Sequence, residues 1–147
     1  MSESKNLALG SDHAGYYLKE FIKKELIAQG YEIEDFGCYS SESVDYPDII
    51  HPLALAINDG KIEKGIILCG TGIGVDMVAN KYPNVRAALC CDEERARLSR
   101  SHNNANVLAL GARFVSESDA MKMIQIFLET EFEGGRHQRR VNKIPIP

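Results

Sequence analysis

The most restrictive feature of this 147-residue chain is the apolar run at residues 65–69, GIILC, which leads directly into the glycine-rich stretch GTGIG. Apolar residues that do not alternate with polar ones predict a strand buried on both faces. Such a strand is typical of a parallel sheet with helices packed above and below it. The chain is therefore expected to be an α/β protein.

The rest of the chain alternates between strand-like and helix-like patterns. Strands are predicted at 6–11, 31–37, 65–69, 85–90 and 106–111. Helices are predicted at 16–29, 46–57, 72–82 and 92–102, after a capping box at 116–119, and in a short arginine-bearing segment near the C-terminus. This order predicts a doubly wound, Rossmann-like five-stranded parallel sheet with helices on both faces. We expect a single domain over 1–147 that ends in a basic helical tail at about 134–147.

Composition and charge exclude several classes of protein. The net charge of -4 gives no general attraction for nucleic acid, and no apolar run is long enough to span a membrane. The first ten residues lack the features of a signal peptide, so a cytoplasmic location and free thiols are expected. The four cysteines form no CxxC pair, and no metal or other cofactor is expected. The basic stretch GGRHQRRVNK could, on composition alone, be a solvated tail.

In a doubly wound sheet, ligands bind beyond the carboxyl ends of the strands. This rule selects the loops at 11–15, 38–45, 69–74 and 90–92. Cys69 ends a buried strand just before a predicted helix, where the helix dipole favours a thiolate and the glycine-rich backbone can turn its amides toward an anion. The alternative is that Cys69 is simply a small buried hydrophobe. The loop matches neither the dinucleotide fingerprint, nor a Walker loop, nor a C-x5-R phosphatase loop.

Two further polar pairs follow strand or helix ends. Asp12 and His13 follow the first strand, whereas His102 ends the helix predicted at 92–102 and Asn103 follows it. Each pair has a structural interpretation: an N-cap aspartate with an incidental histidine, and a histidine favoured by a helix C-terminus. A carboxylate, an imidazole and a thiol at neighbouring strand ends nevertheless indicate a reactive site.

The motifs GSDHAG (10–15), CGTGIG (69–74), RSHNNAN (100–106), LGAR (110–113) and GGRHQRRV (134–141) occur in this order along the chain. Together they resemble the type B ribose-5-phosphate isomerases, a family that includes the galactose-6-phosphate isomerase subunits. The resemblance implies interconversion of ribose 5-phosphate and ribulose 5-phosphate, in the non-oxidative pentose phosphate pathway, without metal or organic cofactor. Two alternatives stay open: an allose-6-phosphate or galactose-6-phosphate isomerase, and a non-catalytic phosphate- or nucleotide-binding domain.

The resemblance also implies roles for individual residues. Cys69 is expected to move a proton between C2 and C1 of the sugar, and His102 is expected to open the sugar ring. The expected substrate-binding residues are Asp12, His13, Tyr46, Gly70, Thr71, Gly72, Ile73, Gly74, Asn103, Arg113, Arg136 and Arg140. Among these, the amides of 70–74 would hold the enediolate, Asp12 the sugar hydroxyls, and the three arginines, with His13 nearby, the phosphate.

The predicted topology has a consequence for assembly. Cys69 lies at the ligand edge of the sheet, whereas His102 lies at the far end of a helix that begins there, about 15 Å away. If both residues act on one sugar phosphate, a second subunit must supply His102. The sequence therefore predicts a homo-oligomer, a dimer and possibly a tetramer, with active sites shared between subunits.

Overall fold

The computed structural model describes residues 5–147 and has the expected five-stranded parallel sheet. Its strands are β1 (Asn6–Ser11), β2 (Glu32–Asp35), β3 (Lys64–Cys69), β4 (Ala87–Leu89) and β5 (Val107–Gly111). Its α-helices are α1 (Tyr16–Ala28), α2 (Tyr46–Asn58), α3 (Ile73–Ala79), α4 (Glu93–Ser101), α5 (Glu117–Glu129) and α6 (Arg136–Val141). The predicted fold class is confirmed.

The strand order is β2-β1-β3-β5-β4, and every neighbouring pair is parallel. From β1 the chain moves toward one edge of the sheet, and from β3 it moves toward the other. The adjacent strands β1 and β3 therefore form the topological switch point, where a crevice opens beyond their carboxyl ends. Because β5 lies between β3 and β4, the segment after β5 is also next to this crevice.

Two apolar cores cover the two faces of the sheet. One contains buried residues of α1, α4 and α5, and the other contains buried residues of α2 and α3. Successive residues of β3 serve opposite cores: Ile66 packs in the first and Ile67 in the second, and both are fully buried. This division explains why the sequence of β3 is continuously apolar.

Three elements are at least three residues shorter than predicted, and one of them is the strand predicted at 31–37, which is seen as β2 (Glu32–Asp35). The helix predicted at 72–82 is seen as α3, which ends at Ala79, and the strand predicted at 85–90 is seen as β4. The Asn80 amide pairs with the backbone of Ala87, with bonds of 2.8 and 3.0 Å, and Asn106 Oδ1 accepts from the Arg86 amide at 2.8 Å. The Arg86 amide, one residue before β4, is thus paired with an asparagine side chain instead of a strand.

A buried ion pair fastens α1 to β2. Lys19 is fully buried, and its Nζ lies 2.6 Å from Asp35 Oδ2 and 2.7 Å from Glu20 Oε2. Burial alone would lower the pKa of Lys19, but its hydrogen bonds to the two carboxylates outweigh burial and hold the pKa above its usual value. Burial would likewise raise the pKa of Asp35, but bonds from Lys19 and the Gly37 amide hold it below its usual value.

Candidate active site

A cavity of about 400 Å³ lies at the switch point between β1 and β3. Nine of the residues predicted for the site line it: Asp12, His13, Tyr46, Cys69, Gly70, Thr71, Ile73, Gly74 and Arg113. Ala14 and Met77 line it as well, although they were not predicted. Met77 follows Ile73 by one helical turn, so its place on the same face of α3 was available from the helical period.

Cys69 joins the core to the cavity. It packs in the apolar cluster between the sheet and α2 and α3, and only 5% of its surface is exposed. Its Sγ accepts a hydrogen bond from the Gly72 amide at 3.1 Å. This bond holds the sulfur against the start of the glycine-rich loop. Cys69 is therefore a small residue buried in the core, which is one of the two interpretations of the sequence. It also lines the polar cavity.

The glycine-rich loop requires its glycines. Gly72 has a φ of +80°, and a Cβ there would lie 2.6 Å from Leu89 Cδ1 and 2.9 Å from the Leu110 carbonyl carbon. Two of the amides predicted to hold an enediolate already have partners within the loop. The Gly72 amide bonds to Cys69 Sγ, and the Ile73 amide bonds to Thr71 Oγ1 at 3.2 Å.

Asp12 combines its two predicted interpretations. Its Oδ1 caps a short 3₁₀ helix, His13–Gly15, by accepting from the amides of Ala14 at 3.0 Å and Gly15 at 3.2 Å. Asp12 is only 7% exposed, yet it lines the cavity. The cap therefore fixes a carboxylate in the cleft.

His13 is held by a contact that the sequence did not indicate. Its Nδ1 accepts a hydrogen bond of 3.1 Å from the Val44 amide. An imidazole nitrogen that accepts carries no proton, so the neutral ring has its N–H at Nε2. The bond joins the 38–45 loop to the cavity and makes His13 a hydrogen-bond donor there.

Arg113 and Tyr46 form two walls of the cavity. The Arg113 guanidinium lies so close over Gly70 that a Cβ at this glycine would be 3.0 Å from Cζ and Nη1. The Tyr46 ring lies even closer over Gly74, where a Cβ would be 2.5 Å from Cζ. Arg113 reaches the cavity because β5 is the direct neighbour of β3.

Five of the predicted residues do not line the cavity. Gly72 belongs to the same loop, but its amide donates to Cys69 Sγ, whereas His102, Asn103, Arg136 and Arg140 lie elsewhere in this chain. The nine residues of α4 carry the chain about 13 Å from the ligand edge before His102. There His102 stacks on His137, with ring centroids 4.2 Å apart and planes at 15°. The structure therefore separates the predicted site into two groups of residues.

The second group carries an exposed cluster of positive charge. Arg136, Arg139 and Arg140 lie on α6 and are exposed. Within residues 5–147, no ion pair to a carboxylate is found for these three arginines or for Arg113. Burial lowers the pKa of His137 below its usual value, and the nearby charges of His102 and Arg136 lower it further.

The loop at 90–92, expected at the ligand site, does not line the 400 Å³ cavity. Cys90 and Cys91 line a second cavity of about 420 Å³, with Leu89 and Phe114, and this cavity shares Thr71 and Ile73 with the first. The sheet order explains the difference, because β5 separates β4 from β3. A wider groove of about 570 Å³, lined by residues of α1 and α5, contains none of the predicted residues. Across the part of the chain that is described, no helix combines the length and apolarity that crossing a bilayer requires.

The fold and the cavity define an α/β domain with a thiol, a carboxylate, an imidazole and a guanidinium at its switch point. Residues 7–144 match the model of the Ribose/Galactose Isomerase family, so the chain belongs to this family and is an isomerase. The family resemblance seen in the sequence is confirmed.

Individual relatives are similar over nearly their whole length. Ribose-5-phosphate isomerase B of Escherichia coli is 44% identical over 140 residues, which cover 95% of this chain and 94% of the relative. The structure of ribose-5-phosphate isomerase B from Clostridium thermocellum has a TM-score of 0.93 at 48% identity, covering 95% of this chain and 94% of that one. The Mycoplasma genitalium enzyme, solved with bound ribulose-5-phosphate, has a TM-score of 0.90 at 44% identity, with coverages of 95% and 93%.

Proposed function

We propose that this isomerase interconverts ribose 5-phosphate and ribulose 5-phosphate in the non-oxidative pentose phosphate pathway, with Cys69 as the base. One observation carries the proposal: the Cys69 sulfur, bonded to the Gly72 amide, meets a cavity that also contains Asp12 and Arg113. The names of the Escherichia coli and Clostridium thermocellum relatives and the ligand of the Mycoplasma genitalium structure support this substrate.

The reaction needs one carbon-bound proton to move between two carbons. The Cys69 thiolate removes the proton from C2 of the open-chain aldose, and the electrons pass through the C1–C2 bond to O1. The resulting enediolate takes the proton back at C1, while the proton of the O2 hydroxyl passes to O1. Asp12 is suited to carry this second proton, because its carboxylate is fixed in the cavity by its cap.

The second group of residues completes the site from another copy of the chain. We assign ring opening to His102 and substrate holding to Asn103, both supplied by a second subunit. Arg136 and Arg140 lie near the stacked His102–His137 pair, so the same subunit would supply them to the phosphate. Arg113 would come from the subunit that supplies Cys69. The active protein is then a homodimer, or a tetramer built from such dimers.

The sugar preference separates this function from the second candidate. Allose 6-phosphate and galactose 6-phosphate carry one more carbon, and the family description includes galactose isomerases. Comparing kcat/KM for ribose 5-phosphate with that for the two hexose phosphates decides between them, and a higher value for a hexose phosphate would overturn the proposed substrate. Membership of an isomerase family argues against a purely binding domain. The four free thiols suit a cytoplasmic location.

The test of the base uses two cysteine variants. Cys69→Ala should lower kcat by at least about 10²–10⁴-fold and leave sugar-phosphate binding within about tenfold, because the arginines remain. Cys91→Ala is the matched control, since Cys91 is exposed and outside the 400 Å³ cavity. Solvent deuterium should enter C1 of the ketose with the parent enzyme and the control, but not with Cys69→Ala. Substantial turnover by Cys69→Ala would remove this residue from the mechanism.

A further inference from the structure

Three metal-ligating side chains meet outside the cavity. His102 follows α4, Glu133 precedes α6, and His137 belongs to α6. Their ligand atoms all lie within 4.8 Å of one another, a grouping found by searching residues 5–147. The backbone helps to hold them together, because the Glu133 amide donates to the Ser101 carbonyl at 3.0 Å. The cluster is therefore anchored on both of the segments that form it.

One ring nitrogen of His137 is buried without a hydrogen-bond partner within residues 5–147. Its Nε2 is buried and has no hydrogen-bond partner among the described residues. The nearest carboxylate oxygen, Glu133 Oε1, lies 3.6 Å away, which is longer than a normal hydrogen bond. A buried imidazole nitrogen without a partner costs free energy that a bound cation would recover.

We propose that His102, Glu133 and His137 bind a late divalent transition cation, for which Zn²⁺ is the probe. Two imidazoles and one carboxylate are a ligand set that zinc accepts, with an open fourth position. Donors around a tetrahedral Zn²⁺ lie about 3.4 Å apart, so the ligand atoms, now within 4.8 Å of one another, must close by up to about 1.4 Å.

The stacked rings must also turn. A metal lies in the plane of each imidazole that binds it, whereas His102 and His137 are nearly parallel, with planes at 15°. Rotation about χ2 of histidine meets only a broad, shallow barrier, so one ring can turn toward the cation. Arg136 opposes a cation at this place, and we therefore expect a dissociation constant in the micromolar range rather than below it.

Metal binding would affect the reaction. It would occupy the His102 nitrogen to which ring opening is assigned, so Zn²⁺ should inhibit the conversion of a cyclic sugar phosphate. This consequence rests on the proposed function, but the metal site itself does not. The inhibition should compete with substrate, because the cation and the sugar require the same imidazole.

Calorimetric titration with Zn²⁺ tests the site in the full-length protein, with Cys91→Ala as the background to remove the exposed thiol. We expect one ion per chain, binding at least tenfold weaker in Glu133→Gln, and no detectable binding in His137→Gln. His51→Gln is the matched control, because His51 pairs with Tyr82 on the surface at 2.7 Å and should leave binding unchanged. The absorption spectrum of the protein with Co²⁺ in place of Zn²⁺ should show no thiolate-to-metal charge-transfer band, because none of the proposed ligands is a cysteine.

Equal binding by His137→Gln and the background protein would overturn the site. Glu133→Gln changes an exposed side chain and keeps the test valid if His137→Gln fails to fold. In the activity assay, the inhibition constant for Zn²⁺ should follow the calorimetric constant across these variants. Binding without inhibition would refute the inhibitory consequence and count against His102 in ring opening. Absence of binding would refute the site and leave the isomerase function untouched.

Discussion

Mixing two inactive variants gives the most direct test of a shared active site. The variants are Cys69→Ala, which removes the proposed base, and His102→Ala, which removes the proposed ring-opening group. Cys69 is at the cavity, whereas His102 follows the nine residues of α4 and stacks on His137. Each variant alone should retain less than about 1% of parent activity on the cyclic substrate.

The expected recovery follows from twofold symmetry. In a heterodimer, one site combines both defects, and the other combines intact Cys69 with intact His102. Random pairing makes about half of the dimers heterodimers, each with one active site of two, so about 25% of parent activity should return. This value depends only on which chain supplies each residue, and not on the rate of either variant.

The assay mixes the variants in equal amounts, unfolds them, refolds them together and measures ketose formation. Differently tagged chains and native mass spectrometry give the heterodimer fraction. The matched control combines Cys69→Ala with Arg113→Ala, because both residues line the same cavity in one chain. In that heterodimer each cavity keeps one defect, so activity should not rise above the residual level. Failure of the first mixture to recover, with heterodimers present, would place Cys69 and His102 in one chain's site.

Three further predictions concern single side chains. Arg140→Ala should raise KM for the sugar phosphate by at least about tenfold, because a charge-assisted bond is lost. Substitution of its exposed neighbour, Arg139→Ala, should change KM little. Equal effects of the two substitutions would mean that α6 is only a solvated basic helix. Gly74→Ala should displace the Tyr46 ring, since the new Cβ would lie 2.5 Å from Tyr46 Cζ. We expect the unfolding free energy to fall by about 1–3 kcal/mol and KM to rise. Unchanged values would mean that the Tyr46 ring moves aside without cost. Burial raises the pKa of Asp76 to about 6, from 3.8, so its ionisation costs stability as pH rises through this interval. Asp76→Asn should therefore raise the unfolding free energy at pH 7 by up to about 3 kcal/mol and by much less at pH 4, measured by urea denaturation, and an equal gain at both pH values would contradict this cause.

The buried ion pair of α1 limits the pH range over which the fold is stable. The pKa of Asp35 is held below its usual value, so its contribution is complete above pH 4 and is lost as pH falls through the folded pKa. The pKa of Lys19 is held above 10.5, so its contribution is lost only as pH rises through that higher value. Asp76 has the opposite effect on the free energy of unfolding, because burial disfavours its ionised form in the folded protein.

The sequence by itself determined the class of fold and the position of Cys69 at the carboxyl end of a buried strand. Uninterrupted apolar runs such as that of β3 report burial on both faces, and that pattern alone requires helices on both sides of a parallel sheet. The place of Cys69, at the end of this run and before the glycines, follows from the same local reading. The glycines of the loop also indicate a backbone that other residues rarely adopt, and Gly72 indeed has a positive φ.

Only the tertiary structure decided which residues meet. Periodicity reports the environment of one segment, whereas strand order depends on the crossover that each connection takes. The position of β5 beside β3 therefore brings Arg113 into the cavity that Cys69 lines, whereas the 90–92 loop does not line that cavity. The bond from the Val44 amide to His13 and the stacking of His102 on His137 join residues 31 and 35 positions apart. No local pattern encodes such contacts, because they arise only when separate elements pack together.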